Sequence, residues 1–267
     1  MAVSIAITSG KGGAGKTSLA VNMALRLAEK RGRTVLFDGD FATPNAHILL
    51  KCRPLHDISS IVLGNARVTD ILHAAPRGLQ LAAGRTAALE MHDLESARKD
   101  KLIGAFGDLG DTCDYLVVDT AAGAEEATLD CAAAADHVVV MLVGQATSFV
   151  DAYAIIKAGF QGYGIDRFSI VVNMARSSGE AHTLFNNFES TVRRFMPVEL
   201  AYCGYLPFSA AMQASSVHCT PVALQPGCFA ENRALDSVAD SILAAPVQGA
   251  TGTRYFRDLS ATGALPS

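Results

Sequence analysis

The run Gly10-Lys11-Gly12-Gly13-Ala14-Gly15-Lys16-Thr17 combines small, flexible positions with lysines and a hydroxyl, a set suited to holding phosphate. The spacing Gly10-x-x-x-x-Gly15-Lys16-Thr17 is that of a Walker A loop. Glycines let backbone N–H groups curl around phosphate oxygens without a Cβ in the way. Lys16 is placed to reach the β- and γ-phosphates, and the Thr17 hydroxyl to ligate Mg²⁺. Gly10, Lys11, Gly12, Gly13, Ala14, Gly15, Lys16, Thr17 and Ser18 are therefore the expected nucleotide-binding residues, with ATP and Mg²⁺ the expected ligands.

Three carboxylates stand where such a loop needs them. Asp119 ends the apolar run Tyr115-Leu116-Val117-Val118, and ligands of open α/β sheets bind at the carboxyl ends of strands. It can hold Mg²⁺, partly through water; an acid that merely caps a strand end is the ordinary alternative. Asp38 and Asp40 follow the run Thr34–Phe37. A carboxylate within hydrogen-bond reach of water can orient or deprotonate it, which makes these acids candidates for the site. A plain polar turn after a strand is the alternative there.

Placing these residues requires strands that end at them. Apolar runs at Val3–Thr8, Thr34–Phe37, Leu79–Ala82, Tyr115–Asp119, His137–Val143, Phe168–Asn173 and Glu199–Tyr202 read as strands covered on both faces. Helical patterns lie between them at Thr17–Arg31, Leu94–Leu109, Glu125–Ala134, Val150–Phe160, Gly179–Met196, Ala210–His218 and Ala230–Leu243. The alternation predicts an α/β fold, a mostly parallel sheet of seven or eight strands flanked by helices. Residues 1–244 form the expected domain. Ala245–Gly252 reads as a flexible connection to a tail ending at residue 267.

The second lysine, Lys11, makes the loop more specific: Lys11-Gly12-Gly13-x-Gly15-Lys16-Thr17 resembles the deviant Walker A of the MinD/ParA ATPases. Asp38-Gly39-Asp40-Phe41-Ala42-Thr43-Pro44-Asn45 resembles that family's first switch, and Asp119-Thr120-Ala121-Ala122-Gly123 its second. The resemblance implies slow ATP hydrolysis, an ATP-dependent homodimer in which Lys11 reaches the partner's nucleotide, a water positioned or activated by the catalytic Asp40, and Asp38 near the magnesium shell. It also implies that Asn173 reads the base, helped by the segment around Pro207, although a strand-end Asn often makes an ordinary turn. Asp151-Ala152-Tyr153-Ala154-Ile155-Ile156-Lys157 is similar to the branch holding MinD and the flagellar-number regulators called FlhG or FleN. The chain departs from the family at His47, at Pro44, after Pro207, and at Gly144-Gln145-Ala146-Thr147, where relatives commonly show Pro-Glu.

Composition narrows the rest. A formal net charge of −4 gives no global basic field for nucleic acid. Six cysteines without a CxxC pair, and no signal peptide before Met1, predict a reduced cytoplasmic protein. No apolar run is long enough to span a bilayer. Thr253-Arg254-Tyr255-Phe256-Arg257-Asp258-Leu259 interleaves arginines with apolar residues; it suits a short membrane-surface helix, or equally a disordered tail or one packed on its own domain. The resemblance implies control of flagellar number or placement through protein partners, with MinD-like division-site placement close behind. A DNA-binding partition ATPase using Arg193, Arg194 and the basic end of the first helix is a further class. A reductase or ligase with Cys113 and Cys131 at a shared iron–sulfur cluster is the remaining one.

Overall fold

The computed structural model describes residues 2–84, 96–250 and 252–256. Strand β1 (Val3–Ser9) runs into the glycine loop and then α1 (Lys16–Lys30). β2 (Thr34–Gly39) is followed by the short helices α2 (Ala46–Leu49) and α3 (Ser59–Val62), then β3 (Leu72–Ala74) and β4 (Gln80–Ala82). The chain continues through α4 (Ser96–Ala105), β5 (Tyr115–Ala122), α5 (Glu126–Ala133), β6 (His137–Val143) and α6 (Ala146–Tyr163). It ends in β7 (Arg167–Ala175), α7 (Ser178–Phe195), β8 (Glu199–Pro207), α8 (Ala210–Val217) and α9 (Phe229–Ala244).

The strands form one eight-stranded sheet in the order β3-β4-β2-β5-β1-β6-β7-β8. Every pairing is parallel except β3 with β4. Each of the seven expected strands is present. The eighth, β3, was not expected: three half-exposed residues carry no apolar run, and an antiparallel edge position needs none. Of the expected helix Leu94–Leu109, residues 94 and 95 lie outside the described residues; α4 and a 3-10 turn at Phe106–Leu109 form the rest.

Period-two alternation divides the strand side chains between two cores. Val138, Val140 and Leu142 of β6 face α5, α6 and α7, whereas Val139, Met141 and Val143 face α1 and α9. β1 does the same, with Ala6 on the first face and Ile5 and Ile7 on the second. Burial on both faces explains why these strands read as unbroken apolar runs.

The segment after α9 is held against the domain, unlike the flexible connection expected from its composition. Gln248 is buried and donates to the carbonyls of Ala133 and Ala135 at 3.0 and 2.7 Å. Arg254 pairs with Asp136 at 3.1 Å. Tyr255 has no exposed surface; its ring meets Phe106 edge-on at 5.6 Å and Phe37 at 6.5 Å. Two of the apolar groups expected to meet a membrane are thus committed elsewhere, Tyr255 in the core and Phe256 packed beside it. Arg257, Asp258 and Leu259 lie outside the described residues.

Candidate functional site

Because the central strands are parallel, their carboxyl ends share one edge of the sheet. The glycine loop follows β1 there, flanked by the ends of β5 and β6, while Asp38 and Asp40 follow β2 next to β5. Gly15 precedes α1 at φ 94°, in the left-handed region, and a Cβ on it would lie 2.3 Å from Nδ2 of Asn173. A Cβ at Gly10 would lie 2.2 Å from the backbone of Asp151. Both glycines are therefore required by close packing of the loop against α6 and β7 as well as by any ligand.

The sheet register brings the two strand-end acids together. Asp38 of β2 lies directly opposite Asp119 of β5, and Ile7 of β1 opposite Asp119. Alternation puts both carboxylates on the α1 face, toward Lys16. Both are buried, at 1% and 0% exposure, and Lys16 is 7% exposed. Asp38 Oδ2 accepts the backbone N–H of Ala46 at 3.0 Å. Its other oxygen and both oxygens of Asp119 have no hydrogen-bond partner among the described residues.

Buried carboxylates this close resist ionisation. Burial pushes Asp38 up to about 8, the charges of Asp119 and Asp40 add to it, and the Ala46 and Asp40 N–H groups oppose it. Burial likewise pushes Asp119 up to about 7, against the pull of the Thr17 hydroxyl and the Lys16 ammonium. Lys16 shifts down through burial, partly restored by Asp119 and Asp40. Orphaned buried oxygens beside a hydroxyl and an ammonium form a hard-oxygen donor set, and a divalent cation with phosphates supplies the charge it lacks.

Asp40 is outside this buried pair. It accepts the N–H of Thr43 at 2.9 Å and the Thr43 hydroxyl at 3.2 Å, closing a turn in the first switch. Lys11 turns to α6: its Nζ donates to Gln145 Oε1 at 2.6 Å and Thr147 Oγ1 at 3.1 Å. Sequence reasoning did not count Gln145 and Thr147 as site residues, although their departure from the relatives' Pro-Glu was the available signal. Asn173, for which the resemblance implies base reading, bonds to the loop and to its own strand. Its Nδ2 donates to the Ala14 carbonyl at 2.8 Å, and its Oδ1 accepts the Met174 N–H at 2.8 Å. The amide pins the phosphate loop, with both of its ends engaged. Pro207 lies at the end of β8 on the same sheet edge, paired in register with Ala175.

Several of the residues raised for other functions are engaged locally. Arg31 pairs with Asp240, Arg33 with Asp114 at 2.9 Å, and Arg193 with Glu189 at 2.9 Å. Cys113 and Cys131 are buried, so neither faces a partner subunit as a shared cluster requires.

A glycine loop between a central parallel strand and a helix, with two buried acids beside its lysine, defines a P-loop nucleotide-binding protein. The chain belongs to the CobQ/CobB/MinD/ParA nucleotide binding domain family, whose model matches residues 5–222. It is accordingly an ATPase of the MinD/ParA type. Over 209 residues it is 35% identical to the antiactivator FleN of Pseudomonas aeruginosa, covering 78% of this chain and 75% of that one. It is 28% identical over 211 residues to the flagellum site-determining protein YlxH of Helicobacter pylori, covering 78% and 71%. Its fold is similar to that of the septum site-determining protein MinD complexed with Mg-ADP from Pyrococcus horikoshii. That structure matches at a TM-score of 0.71 and 17% identity, covering 91% of this chain and 96% of that one.

Proposed function

We propose that the chain is a Mg·ATP-gated dimerising switch that limits the number or sets the placement of flagella. The pairing of Asp38 with Asp119 in register, their free oxygens turned toward Lys16 and Thr17, carries the nucleotide reading. Lys16 would hold the β- and γ-phosphates. Thr17 and Asp119 would hold Mg²⁺, with Asp38 in its outer shell; the bound ion spreads the negative charge that builds on the transferred phosphoryl group. Asp40, released from Thr43, would orient the attacking water. Lys11, released from Gln145 and Thr147, would reach the nucleotide of a second copy. Slow turnover fits such a site, because two side chains must leave existing hydrogen bonds before the chemistry is assembled.

The flagellar assignment rests on the similarity to FleN and YlxH, whose names state an antiactivator and a flagellum site-determining role. It is tested by replacing the chromosomal gene with the Lys16→Ala allele and counting flagella per cell by electron microscopy. A changed number or position is expected. Normal flagella with displaced septa would transfer the reading to division-site placement.

A further inference from the structure

The carboxyl-terminal half of α1 and the first turns of α9 enclose a cleft of about 880 Å³. Lys30 is the last of the 15 residues of α1, which begins at Lys16, and this puts the cleft roughly 20 Å from the phosphate loop at 1.5 Å per residue. Four cations line it: Arg26, Lys30, Arg77 and Arg233. Two carboxylates accompany them, and both are paired with these cations. Asp236 accepts from Arg26 at 2.8 and 2.9 Å and from Lys30 at 2.6 Å. Glu29 accepts from Arg26 at 2.8 Å and Arg77 at 3.1 Å. Three cations thus share two acids, and Arg233 forms no ion pair among the described residues. The rim adds apolar surface, with Leu224, Pro226 and a Phe229 that is 75% exposed.

We propose that this cleft docks an acidic segment of a partner protein, one that carries carboxylates spaced along the chain and an apolar side chain between them. Surplus guanidinium groups favour carboxylates, which they grip with paired N–H donors. Glu29 and Asp236 repel a compact polyanion such as a triphosphate while leaving room for separated carboxylates. The exposed Phe229 ring and its neighbours suit a leucine or phenylalanine of the same segment. The cleft lies on the α1–α9 side, at the far end of α1 from the phosphate loop.

The probe is a fluorescein-labelled heptapeptide of five glutamates, one leucine and one phenylalanine, titrated with the full chain and followed by anisotropy. Arg77→Glu combined with Arg233→Glu should weaken binding at least tenfold while leaving ATP turnover unchanged. Arg193→Glu combined with Arg194→Glu on α7 should change it less than twofold. Should the cleft variant melt early by circular dichroism, Arg233→Ala, which breaks no ion pair, should still weaken binding about threefold. No binding to the native chain, an equal loss from the α7 variant, or displacement of the peptide by micromolar inorganic triphosphate would each overturn the proposal. Nucleotide-gated dimerisation is read separately by molar mass and does not depend on this result.

Discussion

At the scale of single residues, the Asp38–Asp119 pair sets how the site responds to pH. Both carboxyls are raised in the fold, to about 8 and about 7, from an ordinary value of 3.8. The folded chain therefore holds protons that the unfolded chain has released, and ligand-free stability falls as pH rises from about 4 through about 8. Thermal melts of the nucleotide-free protein should show Tm declining from pH 6 to pH 9. Asp119→Asn, which stays neutral, should flatten that decline; an equally steep slope in the variant would remove the pair as its cause. A cation bound by these oxygens must displace the protons, so Mg·ADP affinity should rise over the same interval, with proton release visible by calorimetry in two buffers. Lys16→Ala should bind ATP at least a hundredfold more weakly in equilibrium dialysis. The Asp40 carboxylate makes its hydrogen bonds to Thr43 in the switch turn, so Asp40→Ala should keep ATP binding and lose turnover.

At the scale of elements, the segment 245–256 is a strap that completes the core. Tyr255 packs edge-on against the touching rings of Phe106 and Phe37, and Phe37 immediately precedes Asp38 and lies 6.0 Å from Phe41 of the first switch. Truncating a fully buried aromatic typically costs about 3–5 kcal/mol. A chain ending at Gly252 should melt on the order of 10 °C lower, while one ending at Phe256 should melt with the full-length protein. The second truncation is the proper test of membrane attachment by later residues, through loss of liposome binding with stability intact. The strap also shows where the sequence was legible and where it was not. Buried parallel strands announce themselves, because both faces demand apolar residues; β6 has the bounds read from its run His137–Val143. The loop and its acids were legible because spacing alone carries their chemistry. β3, α2 and α3 are three or four residues each, too short to show a period. Gln248, Tyr255 and Asn173 take their positions from residues more than a hundred places away in sequence, a kind of information local pattern does not hold.

At the scale of the whole molecule, the proposed dimer switch turns on the position of Lys11. Its ammonium rests on two neutral acceptors of its own α6, Gln145 and Thr147. The acceptors are neutral and solvent screens these exposed contacts to on the order of 1 kcal/mol each, little enough for a triphosphate on a second copy to win the lysine. The expected sequence is that ATP binding offers that charge, two faces meet, and hydrolysis withdraws it. Light scattering on Asp40→Ala, which holds ATP without spending it, should give twice the monomer mass with Mg·ATP and the monomer mass with ADP. Adding Lys11→Ala should return the ATP form to monomer. Gln145→Ala should lower the ATP concentration needed for dimerisation by less than about tenfold, since it removes one of the two contacts holding the lysine in cis. If mass were indifferent to nucleotide in all three proteins, Lys11 would belong to its own α6 permanently, and the chain would be an ATPase without a dimer switch.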